Sequence, residues 1–154
     1  MTRRTAFAVG IGLTAALTLA GCSTDSSASA GSAPELKVSD GYMPQPVSDL
    51  AAGFLIITNS GGTTDKLTSV TSDLSEHITI HKTENQRMQE VKSFTIPAGG
   101  TLDLERGGNH IMFEKLKQRP TQGQKVTVQL HFEKADPIEV ELPVKETTYN
   151  PAQH

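Results

Sequence analysis

Short runs of alternating apolar and polar residues, separated by turns rich in glycine and proline, fill the chain from about residue 35 to residue 146. A period of two is typical of strands with one buried face. The run at 51–59 is apolar and β-branched, as expected of a buried strand. No stretch shows a sustained helical period with caps. The other predicted strands are 65–70, 76–82, 88–96, 101–105, 110–113, 126–132 and 138–144.

Many short strands with regular turns predict an all-β domain, either a β-sandwich or a Greek-key barrel. The pattern does not give the order of the strands within the sheets.

The start of the chain has a different pattern. Arg3 and Arg4 precede an apolar run at 6–20 that is shorter than the roughly 20 residues of a membrane span. Such a run fits the core of a signal peptide. It ends in the sequence LAGC, which resembles a bacterial lipoprotein box, and there Cys22 becomes the lipidated first residue after cleavage. The alternative is an ordinary secretory signal followed by a buried cysteine.

These patterns divide the chain into four parts. The residues after the cysteine are mostly serine, alanine and glycine, with few large apolar side chains, and this composition is typical of a flexible tether. The predicted product is exported and lipid-anchored to the outer face of the cell membrane. The parts are a lipoprotein signal peptide at 1–21, a lipid-anchored linker at 22–34, a β-sandwich domain at 35–146 and a disordered tail at 147–154.

The composition excludes several classes of function. The chain has 154 residues and a net charge of -3, so a basic face for nucleic acid is not expected. One cysteine excludes an intrachain disulfide, a Cys-x-x-Cys redox pair and any multi-cysteine zinc or iron–sulfur site. No nucleophile elbow, phosphate loop or Ser/His/Asp context occurs, so an enzyme is not predicted.

Histidine and methionine are few, and they concentrate in one region. His110 and Met112 follow the Gly107-Gly108 turn, and on a strand they point to one face about 7 Å apart. Met88 lies upstream, and His77 and His81 share a face of the strand before it. Imidazole and thioether are neutral ligands that suit the soft ion Cu(I), whereas a blue-copper site also needs a cysteine thiolate.

The same residues resemble the periplasmic Cu(A) chaperone family, PCuAC, whose motif is His-x10-Met-x21-His-x-Met. Residues 89–109 supply the 21-residue spacing between Met88 and His110. The PAGG turn at 97–100 and the sequence ITIH at 78–81 also look like the family. The resemblance covers about residues 36–145, and it implies a cupredoxin-like Greek-key β-sandwich.

The identity of the first ligand stays open. Only six residues separate His81 from Met88, whereas His77 restores the ten-residue spacing. The two histidines lie about 13 Å apart on one strand, too far to share one ion. His81 is preferred because it matches the family's strand context and because a shorter hairpin loop is expected to keep it opposite Met88. The resemblance thus implies a copper site of His81, Met88, His110 and Met112, with His77 as the alternative first ligand.

The resemblance also implies a function. It is that of a monomeric Cu(I) chaperone that delivers copper towards the Cu(A) site of cytochrome c oxidase, directly or through a Sco-type partner. A copper-sequestering or resistance lipoprotein would have the same ligands. A metal-free β-sandwich lipoprotein that binds a partner is the remaining alternative.

Overall fold

The computed structural model describes residues 31–151, and in this range the chain is all-β with ten strands. Within the same range no helix is long and apolar enough to cross a membrane. The strands are β1 (Leu36–Pro44), β2 (Ala51–Asn59), β3 (Asp65–Thr71), β4 (His77–Glu84), β5 (Arg87–Val91), β6 (Phe94–Ile96), β7 (Thr101–Leu104), β8 (His110–Glu114), β9 (Lys125–Phe132) and β10 (Ile138–Lys145).

The strands form one mixed, hydrogen-bonded path, β5-β4-β8-β2-β1-β10-β9-β3-β6, with β7 paired to β2. β1 and β10 pair in parallel, whereas β1 pairs with β2, and β10 with β9, in the antiparallel direction. Contacts outside this path join β3 to β4 and β6 to β7. The predicted all-β, cupredoxin-like β-sandwich is confirmed.

One predicted strand is wrong. Residues 88–96 form two strands, β5 and β6, which are separated at Lys92 and Ser93. β5 pairs with β4 and β6 pairs with β3, so the two lie at opposite ends of the path. Local alternation continues across the break, and only the tertiary pairing separates the two segments.

The hydrophobic core takes alternate residues from each strand. Ile80 on β4 is paired with Ile111 on β8, and both side chains are buried. Alternation then points His81 and His110 to the other face of the same strands. The core also includes Met43, Leu55, Ile57, Leu67, Phe113, Val128, Leu130, Leu142 and Val144.

The residues beside the domain at both ends make contacts with it. The backbone N–H of Gly62 donates to Ser32 Oγ at 2.8 Å. Arg106 donates to the carbonyls of Thr147 at 3.2 Å and of Tyr149 at 2.6 Å. The tail was expected to be disordered, whereas its residues 147–149 make these hydrogen bonds with the domain. Residues 1–30, with the predicted signal peptide and Cys22, and residues 152–154 lie outside the described range, and the fourfold division stays a prediction.

Asp65 is a fully buried carboxylate whose role in the fold can be tested. Its oxygens accept the backbone N–H groups of Lys66 at 2.7 Å, Lys134 at 3.0 Å and Ala135 at 2.9 Å. Asp65→Asn turns one oxygen into a donor that faces an N–H group. We expect a loss of about 2 kcal/mol in the free energy of unfolding by urea denaturation. Asp73→Asn, at an exposed position, is the control and should change it by less than about 0.5 kcal/mol. Equal effects of the two substitutions would contradict this role.

Candidate metal centre

Two histidines face each other on the outer side of the sheet. His81 on β4 and His110 on β8 are direct partners in the antiparallel register. Their rings are stacked, with centroids 5.5 Å apart and planes inclined by 22°. His110 is buried, with only 6% of its surface exposed, although it points away from the hydrophobic core.

Ser75 fixes this register at the end of the two strands. Its buried hydroxyl accepts the backbone N–H of His77 at 2.9 Å and donates to the carbonyl of Glu114 at 2.5 Å. His77 and Glu114 are themselves cross-strand partners. The serine therefore ties the start of β4 to the end of β8, and a slip of one residue would turn both imidazoles into the core.

One nitrogen of each ring has a partner and the other has none. His110 Nδ1 lies 3.0 Å from the carbonyl oxygen of Gly108. Because a carbonyl can only accept, Nδ1 carries the proton of the neutral ring. His81 Nε2 lies 2.9 Å from Thr79 Oγ1. His110 Nε2 and His81 Nδ1 are buried without a hydrogen-bond partner.

An unpaired polar atom in a buried position costs roughly 1–3 kcal/mol. A ligand that accepts a lone pair from each of these two nitrogens would remove that cost. A metal ion is such a ligand, and the hydrogen bond on the other nitrogen of each ring is the arrangement that usually orients metal-binding histidines. The donor set therefore fits a metal ion.

Aromatic rings form a wall beside the histidine pair. Phe54 on β2 lies 6.5 Å from the ring of His110, and Tyr42 on β1 lies 5.1 Å from Phe54. The ring of Tyr149 packs edge-on against Tyr42 at 5.1 Å. Burial raises the pKa of Tyr42, and the nearby charge of Arg106 opposes that shift. The wall lies on the side of the pair that faces β2, whereas β5, on the other side, is exposed.

Both predicted methionine ligands lie on the face of the histidine pair. Met112 on β8 is opposite Thr79, and Met88 on β5 is opposite Thr83. Each methionine is thus a diagonal neighbour of His81, at a distance of about 7–8 Å. Three rotatable bonds give the methionine side chain the reach to turn its sulfur towards the ring.

The expectation that Met88 lies opposite His81 is wrong. The residue opposite His81 is Glu90, and Met88 sits two cross-strand pairs nearer the hairpin end, opposite Thr83, with 62% of its surface exposed. The cause is a two-residue loop, Asn85 and Gln86, with φ values of 51° and 62°. Positive φ at both loop residues is the signature of a type I′ turn, which fixes the register of a hairpin.

The alternative first ligand lies apart from the histidine pair. His77 is exposed and pairs with Glu114, about 13 Å along the strand from His81. The sequence analysis did not single out Glu90, Thr79 or Phe54 for this site. If the hairpin loop is taken as Asn85 and Gln86, pairing the residues on either side of it one by one places Glu90 opposite His81. Among residues 31–151 no three His, Cys, Asp or Glu side chains converge on one point.

The comparisons with known proteins agree on family and fold. The family described as "Putative lipoprotein LpqE-like" matches residues 36–144. The chain belongs to this LpqE-like family. It is also 36% identical over 139 residues to "Putative lipoprotein Lxx21020" of Leifsonia xyli subsp. xyli (strain CTCB07), with 84% of each chain covered.

Solved structures of PCuAC domains share the fold, and the resemblance to that family is confirmed. The apo PmoF2 PCuAC domain superposes with a TM-score of 0.68 at 17% identity, covering 78% of this chain and 97% of that one. The solution structure of CuI-DR1885 from Deinococcus radiodurans superposes with a TM-score of 0.60 at 25% identity, covering 75% and 80%.

The hydrogen bond of His110 predicts which tautomer the free protein holds. Neutral His110 should carry its proton on Nδ1 and leave Nε2 unprotonated. Two-bond ¹H–¹⁵N correlation spectra of the metal-free protein distinguish the two nitrogens. His131, whose Nε2 lies 2.9 Å from Thr71 Oγ1, serves as an internal comparison outside the metal centre. A proton found on Nε2 of His110 would contradict the assigned geometry.

Proposed function

We propose that the protein is an extracytoplasmic, lipid-anchored carrier of Cu(I), with the ion bound by His81, His110, Met112 and Met88. The observation that carries the proposal is the pair of buried ring nitrogens, one on each histidine, that lack a partner. Two neutral imidazoles and two thioethers form a soft ligand set without negative charge, which suits Cu(I). CuI-DR1885 and the copper-bound PCuAC domain from PmoF2 share this fold and support the choice of metal.

In this proposal the first histidine of the motif, and thus the first copper ligand along the chain, is His81 and not His77. The register places the ring of His81 against that of His110, whereas His77 lies beside Glu114. His110 Nε2 and His81 Nδ1 are the atoms that would bind copper. The hydrogen bonds to Gly108 and Thr79 would hold the two rings in the orientation that presents those atoms.

Release of copper would proceed by ligand exchange. Met88 is the most exposed of the four side chains and the one farthest from His110 in the register, so an incoming thiol or imidazole would replace it first. The aromatic wall of Tyr42 and Phe54 blocks the opposite approach. A neutral thioether is a weak base, which favours the release that a carrier requires.

We further propose that the acceptor is the maturation route of the Cu(A) centre of cytochrome c oxidase, reached directly or through a Sco-type protein. Cys22 would hold the lipid, and the LpqE-like family description supports a lipoprotein. The carrier would then work at the outer face of the membrane. Carriage of copper makes and breaks no covalent bond of a substrate, so the proposed role is that of a carrier rather than an enzyme.

Copper binding is tested by titrating the full-length protein with Cu(I) against a competing chelator. The wild type should bind one equivalent. His81→Ala and His110→Ala should each weaken binding by more than the roughly 10- to 100-fold loss seen when an outer-shell partner is removed. His77→Ala is the matched control, since it removes an imidazole from the same face of the same strand, and it should leave the affinity unchanged. Weakening by His77→Ala with no effect of His81→Ala would contradict the ligand assignment.

Delivery is tested in cells by deleting the gene. We expect a loss of cytochrome c oxidase activity at low copper, restored by added copper or by the wild-type gene but not by the His110→Ala variant. Sensitivity to high copper with normal oxidase activity would contradict delivery and would indicate sequestration.

A further inference from the structure

Glu90 occupies the position in the metal centre that a methionine was expected to fill. We propose that its carboxylate is an additional ligand, which allows the same histidine pair to hold Cu(II) as well as Cu(I). This inference rests on the proposed copper site at His81 and His110. It adds a second oxidation state and a ligand outside the His/Met set.

The register places three side chains in one row across three neighbouring strands. Glu90 on β5 is opposite His81 on β4, which is opposite His110 on β8. Side chains that are direct cross-strand partners have Cβ atoms about 4.5–5.5 Å apart. Glu90 is therefore closer to His81 in the register than either methionine, each of which is a diagonal neighbour.

In the metal-free protein Glu90 does not converge with the two histidines on one point, so its side chain would have to turn onto the ion, and it is free to do so. It is exposed, and it makes no salt bridge and no side-chain hydrogen bond with any residue of the described range 31–151. His110, by contrast, is 94% buried, and its Nε2 has no partner. His110 and the partly buried His81 thus form the covered part of the site, and Glu90 stands at its exposed side, next to Met88.

The two oxidation states of copper need different ligands. Cu(I) favours soft, neutral donors such as thioethers, whereas Cu(II) favours nitrogen and oxygen donors in a tetragonal arrangement. The negative charge of a carboxylate also attracts a dication more strongly than a monocation. The two imidazoles would bind copper in both oxidation states. Met88 and Met112 would complete the ligand set of Cu(I), and Glu90 with solvent water would complete that of Cu(II).

The test compares the two ions in the full-length protein. Cu(II) is titrated in air against glycine as competitor, and Cu(I) is titrated without oxygen against a Cu(I) chelator. Glu90→Gln should weaken Cu(II) binding by at least about tenfold, the smallest loss usual even for an outer-shell partner, and should leave Cu(I) binding within about twofold of the wild type. Glu139→Gln, an exposed glutamate on β10, makes the same charge change away from the site and should alter neither affinity.

Electron paramagnetic resonance of the Cu(II) form gives a readout that does not depend on affinity. The copper hyperfine splitting should change in Glu90→Gln and stay as in the wild type in Glu139→Gln. Unchanged affinity and an unchanged spectrum in Glu90→Gln would overturn the role of Glu90, while the His81→Ala and His110→Ala losses for Cu(I) would keep the proposed carrier intact. A wild type that binds neither ion would overturn both proposals.

Discussion

The candidate metal centre depends on the antiparallel pairing of β4 with β8. This pairing sets His81 against His110 on the outer face and, on the other face, buries Ile80 against Ile111. The hydrophobic core therefore fixes the register that the histidines need, because a shift of one residue would expose the isoleucines and bury the imidazoles. Ser75 adds a hydrogen-bonded tie at the end of the two strands.

Burial of His110 outside the core is the second structural requirement. Phe54 and Tyr42 come from neighbouring strands and cover the histidine pair on one side. Tyr149 extends that wall, held by Arg106 through the backbone of the C-terminal segment. The ring nitrogens without a partner are buried, while β5 on the other side is exposed. The candidate centre thus has a covered half and an exposed half with Met88 and Glu90, an asymmetry that would suit the proposed carrier.

Sequence reasoning found the fold class, since alternation along segments such as Ala51–Asn59 and the lack of any helical period leave few other solutions. It also found the short motif of His110 and Met112, because two residues on one strand need no tertiary information. The sequence did not predict the features that depend on which strands pair and in what register. Residues 88–96 alternate as one strand but split between two edges, and Met88 missed its expected partner because Asn85 and Gln86 form a tight turn without the glycine that marks such turns.

The central claim is that copper binds between His81 and His110, and a crystal structure of the Cu(I)-loaded protein tests it most directly. We expect a single copper ion bonded to His81 Nδ1 and His110 Nε2, with the sulfur of Met112 or Met88 completing its coordination. Copper bound through His77, or bound without one of the two buried nitrogens, would contradict it.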